Sequence, residues 1–241
     1  MKNPRLIAVG VGPGDPELLT LKGARLLREA DVVVTPVGDR SESSVAQSII
    51  AGLVDADRQQ LLTHVYPMKK NPAEMEDAWQ ASAAEVAALV REGKMVAFVT
   101  LGDPFLYSTF LYLYRIVLDQ YPDVAVEVVP GISSINAAAA VADLPLGGAA
   151  DRIAILPATF EEDKLRQTLL DFDTVVLMKV SRVFDRVRGL LKEIGGDRQA
   201  VYVKRTGLSG EAVFYDLDAV KAEDLDYLSL VIVGRPGGWR D

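Results

Sequence analysis

Residues 95–101, MVAFVTL, are apolar on both faces of an extended chain, and no other feature constrains the fold as tightly. A strand with one wet face alternates apolar and polar residues; a strand covered on both faces does not. Residues 6–9 and 32–35 are shorter runs of the same kind. Strands of this type need helices above and below them, which predicts a parallel sheet in alternating β–α order. The segments between supply those helices. Leu19, Gly23, Leu26, Leu27 and Ala30 form one helical stripe, with Pro16 suited to a first turn and Asp15 placed to cap it. Further helices are expected at 73–91, 105–120 and, small and alanine-rich, 132–142.

The pattern changes after Leu144-Pro145-Leu146-Gly147-Gly148. Strand candidates now come closer together, at 152–156, 174–180, 200–203, 212–215 and 228–233, with helices near 161–172 and 181–194. That spacing predicts a mixed sheet. The expected architecture is two α/β domains, residues 1–146 around a parallel sheet and 147–241 around a mixed one.

Composition narrows the chemistry. The 241 residues include no Cys and one His, His64, which removes disulfides, Cys-ligated zinc, iron–sulfur clusters, thiol nucleophiles and multi-histidine metal sites. No metal site is expected. With 26 Lys+Arg against 34 Asp+Glu, the net charge of −8 is a poor match for a nucleic-acid backbone. No uncharged apolar run approaches the roughly 20 residues of a membrane-spanning helix, and no leader precedes the first strand, so a cytoplasmic protein is expected. Chemistry carried by a bound reactive cofactor stays open.

Three stretches suit that purpose. In VGVGPGDPELLTLKG, residues 9–23, glycines follow a strand and precede a helix, yet Asp15 stands where the dinucleotide fingerprint needs its third glycine. This is either a structural turn or a different ligand loop. In VTLGDPFLYST, residues 99–109, Gly102-Asp103-Pro104 ends an apolar strand, the edge at which open α/β sheets bind ligands. Asp103 is a helix cap, a ligand acceptor, or both. In VVPGISSINAAAA, residues 128–140, a Pro-Gly turn leads into a helix of very small side chains.

Taken together with VVLMK and LVIVGR, these stretches resemble the tetrapyrrole methylases, over about residues 5–236. The Tyr-Ser-Thr after Gly-Asp-Pro, the Pro36 region and Ser-Ser-Ile-Asn are most similar to the branch that methylates carbon 20 of precorrin-2 or cobalt-precorrin-2. Thr35-Pro36, where relatives acting on uroporphyrinogen III carry an acidic residue, speaks against that substrate. The resemblance implies S-adenosylmethionine as cofactor, S-adenosylhomocysteine as product, a cofactor cleft between two domains, and a homodimer. It implies cofactor contacts at Pro13, Leu101, Gly102, Asp103, Leu106, Ser133, Ser134, Met178 and Thr206. Within that set, Asp103 is expected to accept from the methionine amine, and backbone groups of Leu101, Ser134 and Met178 to serve the adenine and carboxylate ends. Met178 read by itself has a second reading as a core residue.

Such a reaction asks for positioning rather than a side-chain nucleophile, so no catalytic group is assigned; Tyr107 is a candidate substrate contact. The implied substrate carries eight carboxylates, which a chain at −8 meets only through local positive charge. Candidates are Arg40, Lys69, Lys70, Arg152, Lys179, Arg182, Lys204, Arg205 and Arg235, each otherwise a solvated surface charge. His64 is either a satisfied hydrogen-bonding residue or a neighbour of a substrate-bound metal. The other readings are a different precorrin position, an rRNA or protein acceptor on the same fold, and a non-enzymatic nucleotide-binding module.

Overall fold

A computed structural model describes residues 3–38, 44–66, 72–195 and 198–236, without the side chains of 72–74 and 235–236. By internal contacts the chain divides into Met1–Ser133 and Ser134–Asp241.

In the first unit β1 (Arg5–Gly10), β2 (Val32–Gly38), β3 (Gln60–Tyr66), β4 (Met95–Thr100) and β5 (Val126–Val129) form one parallel sheet, in the order β3-β2-β4-β1-β5. The apolar run at 95–100 is β4, the sheet's central strand, buried at every position. One face packs on α1 (Leu21–Glu29) and α2 (Val45–Ile50) through Ile7, Val9, Leu26, Leu27, Ile49 and Val99. The other packs on α3 (Pro72–Arg91) and α4 (Phe110–Gln120) through Leu6, Ala8, Trp79, Val86, Phe98 and Leu113. Burying each such side chain is worth about 1.5–3 kcal/mol, so both faces are apolar because both are paid in packing.

The second unit begins with α5 (Ser134–Val141), which packs beside the last strand; Tyr215 Oη donates to Ala142 O just beyond it at 3.1 Å. Its sheet runs β6-β7-β10-β8-β9, from β6 (Ile153–Pro157), β7 (Thr174–Met178), β8 (Arg198–Lys204), β9 (Ala212–Phe214) and β10 (Ser229–Pro236). β6 and β7 are parallel, and β10 lies antiparallel to both β7 and β8. Helices α6 (Glu162–Asp171) and α7 (Phe184–Ile194) close its core. A parallel sheet followed by a mixed one is the expected pairing.

Several elements differ from expectation for local reasons. Asp15 caps a single 3₁₀ turn at Pro16–Leu18, and Thr20 caps α1 by accepting from Gly23 N at 3.1 Å. Helix α4 starts at Phe110 rather than 105, because Asp103 turns the chain at 103–105 and Tyr107 takes a left-handed φ of 52°. β7 stops at Met178 because Lys179 has φ 59°.

At the carboxyl edge of the parallel sheet, three strands converge on glycines: Gly10 ends β1, Gly102 follows β4 and Gly131 follows β5. A Cβ on Gly131 would overlap the Gly102 carbonyl oxygen and lie 2.7 Å from Gly10 C. Only bare backbone fits there. Gly131→Ala is therefore expected to destabilise the chain by about 3 kcal/mol or more, whereas Gly52→Ala, at an exposed turn with open space, stays within about 0.5 kcal/mol. Thermal or urea unfolding of the two variants measures this, and equal effects would contradict the crowding.

Candidate active site

The loop after β1 leads to α1 on one face of the sheet, and the loop after the adjacent β4 leads to α4 on the other. A crevice between neighbouring strands whose connections diverge is where open α/β sheets take ligands. Here the two loops are stitched together. Val11 N donates to Thr100 O at 2.9 Å, Gly102 N to Gly12 O at 2.7 Å, and Gly12 N to Gly102 O at 3.3 Å.

Asp103 ties in the third loop. One carboxylate oxygen accepts from Phe105 N at 2.8 Å, within its own turn. The other accepts from Gly131 N at 3.0 Å, across to the loop after β5. Behind this turn, buried Ser108 and Thr100 share a hydroxyl–hydroxyl bond of 2.8 Å, and Ser108 Oγ accepts from Phe110 N at 3.1 Å to start α4. Gly102, at φ 69°, has open space where a Cβ would project. The loops thus form a rigid rim with one position kept clear of side chain.

Of the residues picked out from sequence, Pro13, Leu101, Gly102, Asp103 and Leu106 fall on the two stitched loops, and Ser133 two residues beyond Gly131. Pro13 and Ser133 are buried, Leu101 and Leu106 half-buried. Tyr107 is 43% exposed in its left-handed conformation. Strained non-glycine backbone of that kind costs about 1–3 kcal/mol and gathers at functional loops.

Ser134, Met178 and Thr206 belong to the second unit. Ser134 opens α5. Met178 ends β7, half-buried, and its carbonyl accepts from Ala158 N at 2.7 Å. Thr206, buried, follows β8. The starts of β10 and the ends of β7 and β8 coincide, with Leu230 opposite Met178 and Ser229 opposite Lys204. Both strand ends turn through left-handed cations, Lys179 and Arg205 at φ 59° and 52°.

The candidate cations have unequal standing. Lys204 pairs with Asp224 at 2.7 Å, and its ammonium holds that carboxyl below the usual range. Arg205 pairs with Asp226 at 3.2 Å and also donates to Ser209 O, while Arg152 lies 3.5 Å from Asp173. Arg182 is exposed, with no ion pair among the described residues. Arg40, Lys69 and Lys70, and the side chain of Arg235, lie outside the described residues.

His64 is enclosed by protein. Its Nδ1 lies 2.6 Å from Ser82 Oγ and its Nε2 3.0 Å from Glu85 Oε2, so both ring nitrogens have protein partners. Sequence reasoning missed the Ser82–Tyr66 bond beside it, the Ser108–Thr100 pair and the packing of Gly10 on Gly131. Small residues immediately after apolar strands were the available signal for the last two.

Residues 5–220 match the tetrapyrrole (corrin/porphyrin) methylases. The chain is 34% identical to a cobalt-precorrin-2 C(20)-methyltransferase of Salmonella typhimurium, over 97% of each protein. It is 35% identical to a precorrin-2 C(20)-methyltransferase of a Sinorhizobium species, over 98% of this chain and 96% of that protein. Among solved structures, the uroporphyrin-III C-methyltransferase of Thermus thermophilus complexed with S-adenosylhomocysteine superposes with a TM-score of 0.67 at 25% identity, covering 95% of this chain and 97% of that one. The stitched glycine loops at the carboxyl edge of a parallel sheet, a mixed sheet after them, and similarity running through both units lead to one conclusion: the chain belongs to the tetrapyrrole (corrin/porphyrin) methylases.

Proposed function

We propose that this chain is an S-adenosylmethionine-dependent C-methyltransferase acting on carbon 20 of precorrin-2 or cobalt-precorrin-2 in cobalamin biosynthesis. Near-full-length similarity to enzymes of that name supports the reaction. The observation that carries the cofactor assignment is the rim itself: three backbone loops locked together, with open space at Gly102 and a carboxylate at Asp103. Bound there, S-adenosylmethionine supplies a methyl group on a sulfonium that is its own leaving group.

Cofactor binding is assigned to Pro13, Leu101, Gly102, Asp103, Leu106 and Ser133 in the first unit and to Ser134, Met178 and Thr206 in the second, on their motifs. An ionised carboxylate offers about four lone-pair sites. Asp103 therefore has capacity for the methionine amine while it holds Phe105 N and Gly131 N. The chain's contribution to rate is orientation, since the carbon acceptor is electron-rich through its conjugated pyrrole nitrogens. No residue is assigned as general base.

The loops 11–20, 101–109 and 130–133 carry no Lys or Arg, so acceptor carboxylates need cations from elsewhere. Among the described candidate arginines, Arg182 is the one whose guanidinium is not offset by an aspartate, and we assign it to a substrate carboxylate; Tyr107 is assigned to the macrocycle. The net charge of −8 speaks for a small-molecule acceptor over a nucleic acid. Among the described residues no helix is long and apolar enough to cross a membrane. We further assign the chain to the cytoplasm, as a homodimer, on the family resemblance.

Calorimetry is expected to show one S-adenosylmethionine site per chain. Asp103→Ala, which strips the acceptor from two backbone amides, is expected to weaken that binding about tenfold or more. Wild-type affinity in the variant would contradict the role of the carboxylate. Incubation with labelled cofactor and either precorrin-2 or cobalt-precorrin-2 is expected to yield a singly methylated product, and no transfer to either would overturn the proposed reaction. Arg182→Glu is expected to raise the acceptor KM about tenfold with cofactor affinity unchanged; an unchanged KM would remove Arg182 from the substrate site.

A further inference from the structure

A polar chain, buried at Tyr66 and Ser82 and reaching the surface at Glu85, runs beside the edge strand β3. Tyr66 Oη lies 2.7 Å from Ser82 Oγ, Ser82 Oγ 2.6 Å from His64 Nδ1, and His64 Nε2 3.0 Å from Glu85 Oε2. An ionised carboxylate only accepts, so Nε2 carries the proton and Nδ1 accepts. One direction then satisfies every atom: Tyr66 O–H donates to Ser82, Ser82 O–H to His64, and His64 N–H to Glu85. Tyr66 and Ser82 are buried, and the His64 side chain is 10% exposed.

The far end of this chain reaches the first turn of α4, which follows the site loop. The Tyr66 ring stacks on Trp79 at 3.5 Å, and Trp79 stacks on Tyr112 at 5.4 Å. Tyr112 lies in the first turn of α4, the turn that Ser108 starts and that Ser108 also ties to Thr100, at the end of β4. The stack is thus continuous with the Gly102–Ser108 loop.

We propose that His64 is a positioning residue for the cofactor loop, acting through Ser82, Tyr66, Trp79 and Tyr112 onto the start of α4. Resting on the cofactor assignment above, this makes cofactor affinity depend on the charge of one imidazole. Protonation puts a hydrogen on Nδ1, which turns that atom from acceptor to donor. Ser82 must then accept from the ring, and its own buried hydrogen loses the imidazole as acceptor and either turns to the Tyr66 oxygen, reversing that bond, or is left without a partner.

Among the described residues the groups facing the imidazole are few. Glu85 reaches it from α3 and Tyr66 from its own strand; β2 places Pro36 opposite it and carries no ionisable side chain. Burial lowers the His64 pKa, against an upward pull from Glu85. The neutral, chain-completing form therefore holds from high pH to below the ordinary histidine value of about 6.5. Affinity is present above that value and falls as the pH drops through the folded-state pKa.

His64 is the sole histidine, so its imidazole proton signals titrate unambiguously by NMR. The test pairs that titration with calorimetric S-adenosylhomocysteine affinity between about pH 5 and 8, in wild type, Ser82→Ala and Glu85→Gln. In wild type, affinity is expected to fall about tenfold in step with His64 protonation. Glu85→Gln, lacking the upward pull, is expected to move both curves to lower pH together. In Ser82→Ala the imidazole is expected still to titrate while affinity no longer follows it, an uncoupling that a merely structural role would not produce. A wild-type affinity that stays flat while His64 titrates, or a Ser82→Ala affinity that still tracks the imidazole, would overturn the inference alone. No binding by wild type at pH 8 would overturn the cofactor assignment, and this inference with it.

Discussion

The closure of three loops, backbone against backbone, at the carboxyl edge of the parallel sheet is the constraint on which the site depends. Gly10, Gly102 and Gly131 lie too close for any Cβ between Gly10 and Gly131, and the Asp103 carboxylate locks the arrangement by accepting from Gly131 N. Such a rim needs rigid strands beneath it. β4 and β1 supply them because their register is set by side chains buried on both faces of the sheet, and β5 pairs along β1 at the edge. The same geometry explains the low demand for reactive side chains. A chain with no Cys and one His holds a position open and fixes the groups around it.

The second unit repeats the theme with different means. Its sheet brings the ends of β7 and β8 and the start of β10 to one edge, and both outgoing turns take a left-handed cation rather than a glycine. Aspartates 224 and 226 offset Lys204 and Arg205, and Tyr202 Oη fixes the segment between them by donating to Asp224 O and accepting from Asp226 N. Positive charge at that edge is therefore sparser than the residue count suggests. These part-buried pairs leave fewer uncompensated cations at that edge.

What was legible in the sequence follows from what each signal measures. Apolar runs read burial, so β1, β2, β4 and β7 were visible, and the helical stripe of α1 with them. β5 was not named as a strand because VEVV is four residues long and carries Glu127, whose charge is met by Arg5 and Lys22 rather than by burial. β3 gave no clean pattern, since it is an edge strand with Leu61 and Val65 exposed. α2, six residues long, is too short for a periodicity. The site motifs were visible as loops after strands, because glycine, proline and aspartate punctuate turns wherever they occur. The stitching between loops was not, since backbone-to-backbone bonds such as Gly102 N to Gly12 O leave no side-chain trace. Nor was the tie from Asp103 to Gly131, 28 residues on.

The central claim is that the rim proposed for the cofactor is built by the fold before any ligand arrives. Site-resolved amide hydrogen exchange of the free protein tests it most directly, because Gly102 N and Gly131 N are both donors in the lock. The account predicts that both amides exchange as slowly as those of β4 without ligand, with further protection on adding S-adenosylhomocysteine. Rapid exchange at Gly102 and Gly131 in the free protein would contradict it.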